Sequence, residues 1–140
     1  MIRKERVIYS FRDNFEKYKD ENIVLYGTGE YAKRIITNFK DYNILGMLDR
    51  WSSYGQIWEK PIFSYKEILE KKVNVIIIAA SQYNTETVCK RIGKFCSDNE
   101  INVFSLEGEL LNNRVSEELN EKYSDNRLGR YYECKKLIKP

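Results

Sequence analysis

Histidine is absent from all 140 residues, which excludes Ser-His and Cys-His catalysis and most zinc sites within this chain. Catalysis here would have to use Asp, Glu, Lys, Tyr or Cys. Cysteine is scarce and odd in number. Cys89, Cys96 and Cys134 form no C-x-x-C pair, so neither a disulfide framework nor a zinc site is expected. Cys89 and Cys96 stand one heptad apart on an expected helix, a spacing that suits small core residues. No apolar run approaches the length that crosses a membrane. The charged opening Met1-Ile2-Arg3-Lys4-Glu5-Arg6 leads into no apolar stretch of the signal-peptide kind. The expectation is a cytoplasmic protein without a membrane span. Its formal net charge of +3 is small and its basic residues are scattered among acids, so no nucleic-acid footprint is indicated.

What is present is an ordinary globular composition, 42% hydrophobic and 32% charged, in a length that suits one domain with a real core. The most informative stretch is Asn22-Ile23-Val24-Leu25-Tyr26-Gly27-Thr28-Gly29-Glu30-Tyr31-Ala32. It reads as a buried strand ending in a glycine turn that opens a helix, in the pattern G-x-G-x-x-A. In that pattern Gly27 permits the tight turn, Gly29 lets the backbone approach a pyrophosphate, and Ala32 allows close helix–strand contact. The helix N-terminus offers N–H groups and a partial positive charge to an anion. Tyr31, Ile35, Ile36 and Phe39 then recur at helical spacing, with Lys33, Arg34 and Lys40 interleaved. A second strand, residues 43–48, ends at Asp49, about 20 residues beyond the glycines, where a dinucleotide-binding unit places the acid that meets ribose hydroxyls. The plain structural alternative is that Gly27 and Gly29 only shape a turn and Asp49 ends a strand in solvent.

Along the rest of the chain the periodicity alternates. Val7, Ile8, Phe11, Phe15 and Tyr18 mark an amphipathic helix over residues 5–20, expected to pack on the sheet edge or on a partner. After Asp49 an aromatic and polar loop carries Arg50, Trp51 and Tyr54, at the strand end where open parallel sheets bind ligands. Trp51 and Trp58 there would either stack on a base or sugar or simply cover the sheet edge. Ser64 with Glu67 three residues later forms a capping-box signature for a short helix. Residues 73–80 form an almost continuously apolar strand, as in a parallel sheet covered on both faces, and Ala80 and Ser81 stand at its carboxyl end. A helix over 85–97 and a strand over 102–105 follow. Residues 109–123 carry a further helical pattern, with Leu110, Leu111, Val115 and Leu119 on one side, before a basic, aromatic tail. Strands alternating with helices of this length predict an α/β fold: a doubly wound, mainly parallel, Rossmann-like sheet in a single domain. The expected organisation is an N-terminal helix over 1–21, the nucleotide-binding domain over 22–110, and a helical extension with a tail or linker over 111–140.

The order of LYGTGEYAKRI, ILGMLDR, GQIWEKPIFSYKEIL and VNVIIIAAS resembles the Rossmann-type domain at the front of bacterial polysaccharide-biosynthesis proteins. That group includes nucleotide-sugar dehydratase-epimerases and sialic-acid-type acyltransferases. Gly46, Leu48 and Asp49 match its second-strand motif, Pro61 and Ile62 its loop motif, and Ile76 to Ala80 its apolar strand. Arg50 replaces the second acid of that group's D-D pair and would meet a phosphate or 2′-phosphate. Lys60 replaces the glycine before the proline. The resemblance implies a module in surface-polysaccharide biosynthesis.

The function expected from this reading is a module that binds NAD(P) or a nucleotide-sugar without complete catalytic machinery of its own, with a downstream catalytic domain or a homo-oligomer as the associated partner. Gly27, Thr28, Gly29, Glu30, Tyr31 and Ala32 would hold the pyrophosphate, Asp49 and Arg50 the ribose side, and Ala80 and Ser81 the opposite wall. Two alternatives stand beside it. One is a small NAD(P)-dependent sugar-nucleotide oxidoreductase or epimerase, using Tyr131 or Tyr132 with Lys135 or Lys136. The other is an interaction scaffold presenting Trp51, Tyr54 and Trp58. A methyltransferase is disfavoured, because Tyr26 stands where those proteins place an acid.

Overall fold

The computed structural model describes residues 3–112. Helix α1 (Arg3–Phe15) precedes strand β1 (Ile23–Tyr26), helix α2 (Glu30–Asn38) and strand β2 (Ile44–Leu48). A small hairpin of β3 (Gln56–Ile57) and β4 (Lys60–Pro61) follows, then α3 (Tyr65–Glu70), β5 (Val75–Ile78), α4 (Gln82–Asp98) and β6 (Asn102–Phe104). The main sheet has the order β2-β1-β5-β6, and every adjacent pair is parallel. The chain therefore moves outward from β1 to β2 and then returns across β1 to lay down β5 and β6. The direction of winding reverses between β1 and β5.

All four residues of β1 and of β5 are buried, because successive side chains point to opposite faces and both faces are covered. Val24, Tyr26, Ile76, Ile78 and Val103 meet α3 and α4 through Ile68, Val88, Ile92 and Phe95. Ile23, Leu25, Val75, Ile77 and Phe104 meet α1 and α2 through Phe11, Phe15, Ala32 and Ile35. The capping box forms as the sequence suggests: the Glu67 amide donates to Ser64 Oγ at 3.1 Å, and the Ser64 amide donates to Glu67 Oε1 at 2.9 Å.

Three features differ from the sequence expectation. Helix α1 lies on a face of the sheet beside α2, rather than on an edge or against a partner. Phe11 and Phe15 are fully buried, with ring centroids 4.5 Å from Phe39 and 5.8 Å from Phe104 respectively. Helix α2 has only nine residues, and the two phenylalanines complete the cover over the face it leaves bare. Second, residues 109–111 are not helical. Gly108, at φ +87°, turns the chain back so that Leu110 bridges Phe104 antiparallel and the Leu111 amide donates to the Val103 carbonyl at 2.8 Å. The Asn112 side chain completes this edge, accepting from the Val103 amide and donating to the Ile101 carbonyl, both at 2.8 Å. The remainder of the expected helix, Cys134 and the tail tyrosines and lysines lie outside the described residues.

The third feature is the β3–β4 hairpin, whose two turn residues, Trp58 and Glu59, have φ of 53° and 65°. Tight two-residue turns need positive φ at both positions and normally use Asn-Gly; a Trp-Glu pair carries no such signal. Beyond the hairpin, Ile62 bridges Met47 in parallel, and the Phe63 amide donates to the Met47 carbonyl at 2.8 Å. This segment runs so close to β2 that a Cβ on Gly46 would fall 2.5 Å from the Pro61 carbonyl oxygen and 2.8 Å from Phe63 Cε2.

An ion pair fastens α1 to the α2–β2 connection. Arg12 donates to both Asp41 carboxylate oxygens, at 2.8 and 3.2 Å, and Lys19 Nζ lies 3.3 Å from the same carboxylate. The Arg12 hydrogen bond holds the Asp41 carboxyl well below the usual carboxylate range. A depressed folded-state pKa contributes stability above the unfolded value and loses it as pH falls through the folded one.

Two outcomes follow. Gly46→Ala lowers unfolding free energy by about 1–3 kcal/mol in denaturant titration, the usual range for overpacking, whereas Gly29→Ala, where the added Cβ meets nothing within 4 Å, stays within about 0.5 kcal/mol. Asp41→Asn is less stable than the parent at pH 7, and the gap narrows below about pH 4, where the unfolded aspartate protonates.

Candidate functional site

Strands β1 and β5 stay zipped to their ends: the Ala79 amide donates to the Tyr26 carbonyl at 2.9 Å, and on the other side the Gly27 amide donates to the Leu48 carbonyl at 2.8 Å. Gly27 then turns the chain at φ +119°, where a Cβ would stand 3.0 Å from the Ala79 carbonyl oxygen. A side chain at position 27 would meet both a backbone conformation that L residues avoid and a rigid neighbour. Past this point the two chains diverge, one into α2 and the other into α4, and leave a crevice at the reversal of winding. Open α/β sheets bind ligands at this position.

Gly29 is the N-cap of α2, with φ −90° and ψ −153°, and nothing lies within 4 Å of the position its Cβ would take. The positive end of the α2 dipole therefore faces open space. Glu30, in the first turn, lies 3.5 Å from Arg34 Nε. Tyr31 is half-buried against the core on the α1–α2 face, and Ala32 is fully buried there, which is the close helix–strand contact that its small side chain permits. Across the crevice Ala80 is half-buried and Ser81 caps α4. The Ser81 carbonyl accepts from the Thr85 hydroxyl at 3.1 Å.

Asp49 sits at the end of β2 and is bound into this loop cluster. Its Oδ1 accepts from the Thr28 hydroxyl at 3.2 Å, and its Oδ2 accepts from the Trp51 and Ser52 amides at 3.0 and 3.1 Å. A carboxylate offers about four acceptor positions, so three are filled and one remains for a further donor. The same carboxylate thus fixes the glycine loop and the 50–54 loop relative to each other. Arg50 stacks over the Trp51 ring at 4.5 Å, and Trp51 and Tyr54 are 69% and 79% exposed.

Sequence reasoning missed how Trp58 is used. Its indole Nε1 donates to the Thr28 carbonyl at 2.9 Å, and Lys33 Nζ lies 5.1 Å from its ring centroid. The hairpin tip is therefore an anchor of the glycine loop, neither an exposed stacking platform nor a simple edge cover. Arg91 was also not anticipated: its Nη1 donates to the Tyr26 hydroxyl at 3.0 Å, across the α4 face. Only a strand-facing polar position on the expected 85–97 helix hinted at it.

Nucleophile and metal chemistry find little purchase nearby. Cys89 and Cys96 are buried free thiols, and burial together with the neighbouring Cys89 pushes the Cys96 thiol up, away from thiolate reactivity. Among the described residues no group of three or more His, Cys, Asp and Glu side chains could hold a metal ion. The Tyr131–Lys135 and Tyr132–Lys136 pairs lie outside the described residues. No helix among those residues is long and apolar enough to cross a membrane.

A parallel sheet covered by helices on both faces, with a glycine-turned crevice where its winding reverses, defines an α/β domain. The chain belongs to the C2185-like, N-terminal family, which matches residues 19–104, from just before β1 to the end of β6. Among curated proteins and solved structures nothing matches the chain.

Asp49→Ala removes the acceptor for two loop amides and one hydroxyl. The expected cost is about 1–2 kcal/mol, with faster hydrogen exchange at the Trp51 and Ser52 amides; Asn at position 49, which keeps one acceptor oxygen, gives an intermediate effect.

Proposed function

We propose that this domain is a doubly wound, Rossmann-like module that binds NAD(P) or a nucleotide-sugar in the crevice between β1 and β5. The observation that carries the reading is the pairing of a spatially forced Gly27 with an uncovered Gly29 at the α2 N-terminus. The first holds the strand ends together, and the second leaves room for a pyrophosphate on the positive end of a helix. The space over Gly29, which a larger side chain would fill, fits such a group. Asp49 has one acceptor position left, suited to a ribose hydroxyl, and is already oriented by Thr28 and the loop amides. Arg50, next along the chain, suits a phosphate on the ribose.

In this reading the chain binds and presents its ligand, and complete chemistry requires a further domain or partner. The resemblance of its motifs to those of polysaccharide-biosynthesis proteins supports a place in bacterial surface-glycan synthesis. The buried free thiols of Cys89 and Cys96 suit a reducing, cytoplasmic setting. A second reading has one observation in its favour: Trp51 and Tyr54, both largely exposed on the crevice rim, would serve a scaffold as a protein contact surface.

A thermal-shift series with NAD, NADP and UDP-sugars separates the two. A ligand at ten times its Kd adds about 1.4 kcal/mol to the native state, which raises Tm by several degrees in a domain of this size. Gly29→Trp, which folds because its site is open, abolishes the shift under the nucleotide reading. No shift with any of these ligands at millimolar concentration overturns that reading and leaves the scaffold.

A further inference from the structure

A second recess lies away from the crevice, under the β3–β4 hairpin at the outer edge of the sheet. It encloses about 230 Å³ between Ile36 and Phe39 of α2, Tyr42 and Ile44 leading into β2, and Trp58 of the hairpin tip, with Lys40, Glu59 and Lys60 around it. Its wall is apolar and largely aromatic: Phe39, Tyr42 and Ile44 are each buried, and Trp58 is half-buried. Two ammonium groups face one carboxylate around the lining, a surplus of one positive charge. Among the described residues no ion pair engages Lys40 or Lys60.

The hairpin that roofs the recess is held in an unfavourable conformation. Trp58 and Glu59 are consecutive non-glycine residues at φ 53° and 65°, and such positions persist only where surrounding structure enforces them, often at ligand clamps. Here the enforcement comes partly from the Trp58 indole bound to the Thr28 carbonyl. The turn thus spends its strain on placing one face of an aromatic ring against the recess while two lysines flank it.

We propose that this recess binds a small organic anion with a planar, apolar body, its ring against Trp58 and Phe39 and its carboxylate or phosphate between Lys40 and Lys60. The volume is below the usual range for drug-sized ligands and suits a single ring. The assignment is independent of whether the crevice binds a nucleotide.

Trp58 reports on occupancy directly. In Trp51→Phe, which removes the exposed indole, Trp58 is the sole tryptophan, and its emission is followed while phenyl phosphate or benzoate is added at constant ionic strength. The expected result is a saturable change, weakened at least tenfold in the Lys40→Gln/Lys60→Gln double variant and at least tenfold for inorganic phosphate. Circular dichroism of the variants establishes that each is folded; should the double variant fail to fold, the single Lys40→Gln, at an exposed position, carries the comparison with a several-fold loss. A linear response to both probes, an affinity unchanged without the lysines, or inorganic phosphate binding as tightly as phenyl phosphate overturns the proposal.

Discussion

The contact on which the arrangement depends is the close approach of Gly27 to the Ala79 carbonyl. Two parallel strands that stay hydrogen-bonded to their last residue must separate abruptly if each is to feed its own helix on its own face. That separation requires a residue that can turn at positive φ with no Cβ against the neighbouring backbone. With glycine at 27, α2 and α4 start on opposite faces and a crevice opens between them. A Cβ at 27 would have to displace a backbone carbonyl of a central strand rather than a flexible side chain, and the whole β1–β5 pairing would shift with it.

Everything around the crevice is arranged to hold the glycine loop rigid from outside. Thr28 is clamped twice, by its hydroxyl to Asp49 and by its carbonyl to Trp58. Asp49 in turn captures the next loop through the Trp51 and Ser52 amides. Three segments distant in sequence therefore converge on one residue, while the space above Gly29 is left clear. Binding sites that are built before the ligand arrives lose less conformational entropy on binding. The edge of the sheet serves the same end: the absence of a side chain at Gly46 lets the 61–63 segment lie against β2, and the hairpin just before it delivers Trp58.

Much of this was legible in the sequence, for physical reasons. Strands β1 and β5 read clearly because burial on both faces makes them continuous apolar runs, and Ser64 with Glu67 announced α3 because a capping box is encoded within four residues. The glycine turn and Asp49 were legible as a spacing, and the structure brings Thr28 and Asp49 within hydrogen-bonding distance. The hairpin was not legible, since its turn uses Trp58 and Glu59 where local preference asks for Asn and Gly, and only tertiary contacts sustain it. Helix α1 was read correctly as amphipathic, but periodicity says which face is apolar and nothing about what covers it. At 109–111 a helical spacing of leucines lost to the free edge of β6, whose unpaired backbone groups took the chain as a short antiparallel partner.

The central claim, that the reversal of winding at Gly27 creates an anion-binding crevice, is tested most directly by mapping amide chemical shifts of the isotope-labelled chain during titration with NAD and with a UDP-sugar. The account predicts saturable shifts concentrated at Gly27, Thr28, Gly29, Glu30, Ala80 and Ser81, extending through Asp49 to the Trp51 and Ser52 amides. Saturable shifts that leave Gly29 and Ser81 unmoved, or no saturable shift with either ligand, would contradict it.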